Sequence, residues 1–240
     1  MPEVSAVTEP TRLERSGEIA PDPRGETFGH ICRRCSRCCH HKDIHVNPYE
    51  VARLARRLGQ TTSEFRIAWT RDGAGTSLRQ TEGGACALLG PAGCTVHSDR
   101  PLVCRLYPLG RHVLPDGTEW FSRLELEPQT AGEIVDRGTI GEFLEAQQAE
   151  AFMTAADDYF RWFCAAQEGL GEDAPSGPSD QPAQDAACAA DLVDMDAAIA
   201  GHCAATGMAE PDDIEDRKRL HLALLYREIT RHTGGPHEKP

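Results

Sequence analysis

The sequence predicts a mainly α fold with a small β-hairpin component, in which an irregular cysteine-rich region packs on helices. Three observations carry that expectation. Helix-capping signals recur along the chain, apolar residues fall at helical spacing through its second half, and the stretches that favour strand are short and joined by tight turns.

The chain opens with MPEVSAVTEPTRLERSGEIAPDPRGE, which has no apolar core of the kind a signal peptide needs and is broken by Pro10, Pro21 and Pro23. Residues 1–28 are therefore expected to be disordered. CRRCSRCCHH follows at residues 32–41. NPYEVARLARRLG then carries Asn47 as N-cap, Pro48 at the first helical position, Glu50 three residues after the cap and Gly59 at the end. Those signals bound a helix of about three turns. TTSEFRIAWTRDG repeats the logic, with Thr61 or Thr62 as cap and Gly73 as stop.

CALLGPAGCTV, residues 86–96, reads as a short hairpin turning at Gly90-Pro91-Ala92-Gly93. GRHVLPDGTEWFSRLEL reads as a second hairpin with Pro115-Asp116-Gly117 at its tip. After Thr139, a cap with Glu142 in the third position, Ile140, Phe143, Leu144, Phe152, Ala155, Tyr159, Phe160 and Phe163 share one face, as one long helix or two. GLGEDAPSGPSDQPAQD has linker composition. Two further helices are expected at about 186–205 and 212–232, the second with Asp212, Asp213 and Glu215 suiting its dipole. The organisation predicted is a disordered 1–28, a cysteine-cluster domain at 29–168, a linker at 169–185 and a C-terminal helical segment at 186–233.

No stretch reaches 18 uninterrupted apolar residues, so a membrane span is not expected. Without an export signal, the expected location is cytoplasmic, where thiols stay reduced. Ten cysteines in such a chain point to metal. The net charge of −13 argues against general nucleic-acid binding, leaving a protein partner or protein substrate as the expected contact. The charge is unevenly spread. Residues 125–215 hold 21 acidic side chains against Arg137 and Arg161, whereas residues 30–57 hold seven Lys/Arg against Asp43 and Glu50. The basic segment is best read as compensating charge for thiolates, ahead of a phosphate patch.

Seven cysteines form two groups: Cys32, Cys35, Cys38 and Cys39, then Cys86, Cys94 and Cys104. A Cys-x2-Cys loop lets two thiolates reach one metal while backbone amides donate to the sulfurs. The triple Cys32-x2-Cys35-x2-Cys38 matches the spacing that holds a four-iron, four-sulfur (4Fe-4S) cluster, and zinc accepts the same donors. Adjacent side chains diverge on a helix or strand, so Cys38 and Cys39 are expected to serve different duties. His40, His41 and His45, with Asp43, are secondary candidates read first as loop residues, and His97 and His112 carry the same reading. Cys188 and Cys203 are expected to pack on an apolar helix face. Cys164 is read as core, and as the eighth ligand if one exists. No phosphate-binding loop, nucleophile elbow or HExxH motif is present, so any chemistry falls to the cysteines.

CRRCSRCCHHKDIHVNPYEVARLA, GACALLGPAGCTV and RPLVCRLYPL together resemble the CxxCxxCC cysteine-cluster family (YkgJ-type proteins), described as zinc- or iron-chelating and related to flagellin lysine N-methylases. The resemblance covers residues 28–125 and includes the string Arg100-Pro101-x-x-Cys104-Arg105-x-Tyr107-Pro108. It implies that Cys32, Cys35, Cys38, Cys39, Cys86, Cys94 and Cys104 hold the metal. The resemblance leaves the reaction open: the triple at residues 32–38 and the methylase relationship favour an iron–sulfur centre with redox or methylase-like activity, and the alternative is a structural zinc module that binds a partner without catalysis. Ser36 stands where many members have glycine, His97 where an aromatic is usual, and Glu127-Pro128 where some have an eighth cysteine followed by proline.

Overall fold

Phe28 anchors the start of the fold. It is 1% exposed and meets Phe143 edge-on with ring centroids 5.0 Å apart. It lies on β1 (Thr27–Ile31). The computed structural model describes residues 22–71, 76–170 and 193–233. The disorder expected up to residue 28 therefore gives way within the described residues to a 3-10 turn at Pro23–Gly25. The Asp22 side chain closes that turn, and Arg24 reaches Glu119 at 2.8 Å. Burial of Phe28, at about 1.5–3 kcal/mol for such a side chain, is what orders this stretch.

β1 pairs antiparallel with β6 (Glu133–Thr139), a pairing across a hundred residues that local sequence did not announce. The register shifts between Thr27 and Gly29, and a side chain at Gly29 would come within 2.5 Å of the Arg137 carbonyl. Only glycine allows that approach.

The capped helices form where their signals lie. In α1 (Pro48–Leu58) the Asn47 side chain accepts from the Glu50 amide while Glu50 accepts from the Asn47 amide, and Gly59 ends the helix at φ 68°. In α2 (Thr62–Trp69) Thr61 and Glu64 make the same reciprocal cap. That helix stops at Thr70, whose hydroxyl donates to the Arg66 carbonyl at 2.7 Å. The expected stop, Gly73, lies outside the described residues. β2 (Leu89–Gly90) and β3 (Gly93–Cys94) make the short hairpin, and β4 (Leu109–Val113) with β5 (Glu119–Arg123) the longer one. Between them lies the short helix α3 (Leu102–Leu106).

The aromatic stretch divides into α4 (Ile140–Ala146) and α5 (Glu150–Leu170). The break falls at Gln148, which sits at φ 51°. Phe152, Ala155, Tyr159, Trp162 and Ala166 line the buried face of α5 at spacings of three and four. With Tyr159 and Trp162 facing inward, Phe160 is turned outward and 37% exposed, against its expected place on that face.

α6 (Met195–Thr206) and α7 (Ile214–Thr233) share a core with α4 and α5. Tyr49 donates to Glu215 at 2.6 Å and Lys218 reaches Asp158 at 3.2 Å, so the C-terminal helices pack against α1 and α5. Residues 171–192, which include most of the expected linker and Cys188, lie outside the described residues. Of the predicted packing cysteines, Cys203 is 4% exposed within this core.

A smaller second core joins Val46, Val51, Leu54, Ala55 and Phe65 to Leu78, Leu88 and Val96. α1 stands between the two, giving Tyr49 and Ala52 to the first and Leu54 to the second. The fold is thus mainly α, with seven helices and three two-stranded antiparallel sheets among the described residues. None of the described helices is long and apolar enough to cross a membrane.

Candidate metal centre

The cysteine loop leaves β1 at Ile31 and coils tightly. Arg34, Ser36 and His41 all take positive φ, at 53°, 60° and 54°. Ser36 therefore occupies backbone that glycine adopts more freely. A 3-10 turn at Arg37–Cys39 follows, with the Cys39 amide donating to the Ser36 carbonyl at 3.0 Å.

That turn is stitched to the second cysteine group through the backbone. The His41 amide donates to the Gly84 carbonyl at 2.7 Å, and the Cys86 amide to the Cys39 carbonyl at 2.8 Å. Gly84 sits at φ 75° with the His41 ring where a Cβ would be, 2.2 Å from Nδ1. Cys86 and Cys94 then pack against the second core, one on each side of the short hairpin.

Cys104 is presented by α3, and two buried charges hold that helix. Glu50, 3% exposed, accepts from the Leu102 amide at 2.6 Å and from the Asn47 amide at 2.9 Å. One carboxylate thus caps the N-termini of α1 and α3. Burial pushes the Glu50 carboxyl up to about 7. Arg105, 2% exposed, donates to the carbonyls of Arg100 and Gln147 at 3.0 and 2.9 Å, and lies over the Phe152 ring at 3.8 Å. Burial lowers it to about 10.

Six of the seven predicted thiols lie within electrostatic reach of another, Cys35 through Cys38. Cys39 feels the charge of Cys38, Cys94 and Cys104, and Cys104 that of Cys38, Cys86 and Cys94. Cys38 and Cys39 do not diverge as ideal helix or strand geometry implied. On the 3-10 turn the two thiols act on each other, which lowers Cys38 and raises Cys39. Burial is the main cause that raises Cys86, Cys94 and Cys104. Cys35 stands at the edge, exposed, with its sulfur 3.4 Å from the Thr130 hydroxyl and accepting from the Ala131 amide at 3.5 Å. Cys32 is exposed, one position beyond β1.

Backbone amides address the sulfurs as the Cys-x2-Cys reasoning anticipated. The amides of Arg37, Leu88 and Val96, each two residues past a cysteine, favour the thiolates of Cys35, Cys86 and Cys94. The nearby cations sit at the rim. Lys42 favours the Cys38 thiolate while paired with Glu127, and Arg100 favours that of Cys94 while bonded to Gln147 at 2.6 Å. The arginine Arg33, between thiols in sequence, is instead 3.5 Å from Glu133.

Among the described residues, no three His, Cys, Asp or Glu side chains are close enough as placed to hold a metal ion. The donor chemistry nevertheless fits one. Clustered thiols that burial and mutual repulsion keep protonated are what a divalent cation deprotonates and neutralises.

Three of the candidate histidines have partners other than the sulfurs. The His45 ring bonds the Ser77 hydroxyl at 3.0 Å, Asp43 pairs with Arg71, and His112 stacks on Trp120 with centroids 5.0 Å apart. His97 lies beside Arg100. Cys164 is half-buried beside Tyr226, between α5 and α7. Glu50 and Arg105 were not foreseen as parts of the site. Their signal was a charged residue inside an otherwise well-formed apolar helix face.

Residues 31–125, about two fifths of the chain, match the model of the CxxCxxCC family, whose description is "putative zinc- or iron-chelating domain". No curated protein and no solved structure matches the chain.

Proposed function

We propose that residues 31–125 chelate a metal ion through thiolates drawn from both cysteine groups, with Cys38, Cys39, Cys86, Cys94 and Cys104 at the centre and Cys35 and Cys32 at its edge. What supports this reading is that thiols from three chain segments lie within electrostatic reach of one another, with backbone amides favouring the thiolates of Cys35, Cys86 and Cys94. Zinc is the occupant we favour. Of the iron–sulfur triple, Cys32 and Cys35 are exposed and Cys38 is half-buried, which favours a site centred on the less exposed cysteines. Zinc would tie the loops at residues 32–47 and 76–100 together, where regular structure is sparse and the second core is small. Its part is then structural, and the expected partner is a protein, since the net charge of −13 disfavours nucleic acid.

A second reading keeps the iron–sulfur cluster with redox or methylase-like chemistry, on the strength of the Cys32-x2-Cys35-x2-Cys38 spacing. Anaerobic purification with elemental analysis and a visible spectrum separates the two. Colourless protein with about one zinc or more per chain supports the zinc module. Brown protein whose broad absorbance bleaches on reduction supports the cluster. Protein that takes up neither metal would sink both.

A further inference from the structure

We propose that the groove between α3, β4 and α5 receives the chain's own N-terminal segment, residues 1–21, as an extended strand added to the free edge of β4. The groove holds about 400 Å3 and is walled by Val103, Leu106, Val113, Leu124, Ala156 and Phe160. Val103, Leu124 and Phe160 are exposed, and they come from α3, the end of β5 and α5. An apolar face assembled from three separate elements, rather than one stray side chain, marks a surface that something covers. The outward turn of Phe160 belongs to this face.

Backbone chemistry narrows what fits. Among the described residues β4 has β5 as its only strand neighbour. The Leu114 amide donates to the Thr118 carbonyl and the Leu124 amide to the Pro108 carbonyl, so the even-numbered positions of β4 carry the bonds to β5. The amides and carbonyls of Arg111 and Val113 therefore point away from β5, and both residues line the groove. A free strand edge beside apolar walls takes an extended peptide, whose backbone bonds the edge while alternate side chains meet the walls.

Position identifies the peptide. Arg24, two residues past Asp22, donates to Glu119 at 2.8 Å, and Glu119 accepts from Arg111 as well. Arg111 in turn donates to both carboxylate oxygens of Asp157, at 2.7 and 2.8 Å. Arg111 and Asp157 both line the groove, so the chain ahead of Asp22 leads off within two ion pairs of it. Within residues 1–21, Val4-Ser5-Ala6-Val7-Thr8 is the run richest in β-branched residues and contains neither glycine nor proline. Residues 9–21 join it to Asp22 and span up to about 40 Å when extended, ample for a groove that starts beside Arg24.

The test places the photo-crosslinking residue p-benzoylphenylalanine at position 160 of the full-length chain and maps the captured peptide by mass spectrometry. Capture of residues 1–21 within the monomer is expected. A covalent dimer would make a second copy the occupant, and capture of no part of residues 1–21 would empty the groove of this segment. Either result overturns the assignment. Hydrogen exchange supplies a second readout on a chain whose groove is unaltered. Ala6→Pro removes a backbone donor from the added strand, and should speed exchange of the Arg111 and Val113 amides about tenfold or more while the buried face of α5 stays protected. Exchange of those two amides equal to wild type would also overturn it.

Discussion

Replacing Glu50 by glutamine should change how stability depends on pH more than how large it is. In the folded chain burial raises this carboxyl from 4.5 to about 7. Below about pH 4.5 it is protonated in both states. Between there and about pH 7 the unfolded chain gives up the proton first, so unfolding gains and stability falls as pH rises. Above the folded value both states are ionised and the loss is complete. The shift corresponds to about 3 kcal/mol. Glutamine keeps an acceptor for one of the two amides, Leu102 or Asn47, and presents an N–H to the other, at a cost of about 1–3 kcal/mol that does not vary with pH. Denaturant unfolding of the metal-free, reduced chain at about pH 5 and about pH 8 measures both proteins. Their stability difference should move by about 3 kcal/mol in favour of Glu50→Gln at the higher pH. A difference that stays constant, or moves the other way, would refute the account of Glu50 as a buried carboxylate capping two helices.

Other perturbations separate the parts of the site. Gly84→Ala places a Cβ at φ 75° against the His41 ring, and should cost about 1–3 kcal/mol by thermal unfolding and weaken metal retention. Ser36→Gly relieves a positive φ of 60° and should stabilise the metal-free chain by up to about 1 kcal/mol. Cys104→Ala should abolish metal retention by elemental analysis, whereas Cys203→Ala, buried among α6 and α7, should leave metal content unchanged. Leu54→Ala empties the middle of the second core and should cost about 2–5 kcal/mol in denaturant unfolding.

What the sequence disclosed was local. Asn47, Thr61 and Thr139 announce helix starts because each cap is completed by a glutamate three residues on, and all three reciprocal caps are present. The two hairpins were legible from their turns. The β1–β6 pairing was not, since nothing near Phe28 encodes a partner at Glu133–Thr139. The pairing of Cys38 and Cys39 ran against expectation for a similar reason: ideal helix and strand angles do not describe a 3-10 turn entered through Ser36 at φ 60°. The cap that Glu50 makes with Asn47 was legible in the spacing, whereas its bond to the Leu102 amide and the burial of Arg105 depend on what tertiary structure brings to them.

X-ray absorption at the edge of the metal carried by the purified full-length chain tests the central claim most directly, because it counts sulfur neighbours without presuming a reaction. Thiolate chelation at the Cys38–Cys39 turn predicts a bound metal whose neighbours are mostly sulfur, with that signal lost in Cys104→Ala. A metal surrounded only by oxygen and nitrogen, or a sulfur count unchanged in Cys104→Ala, would contradict it.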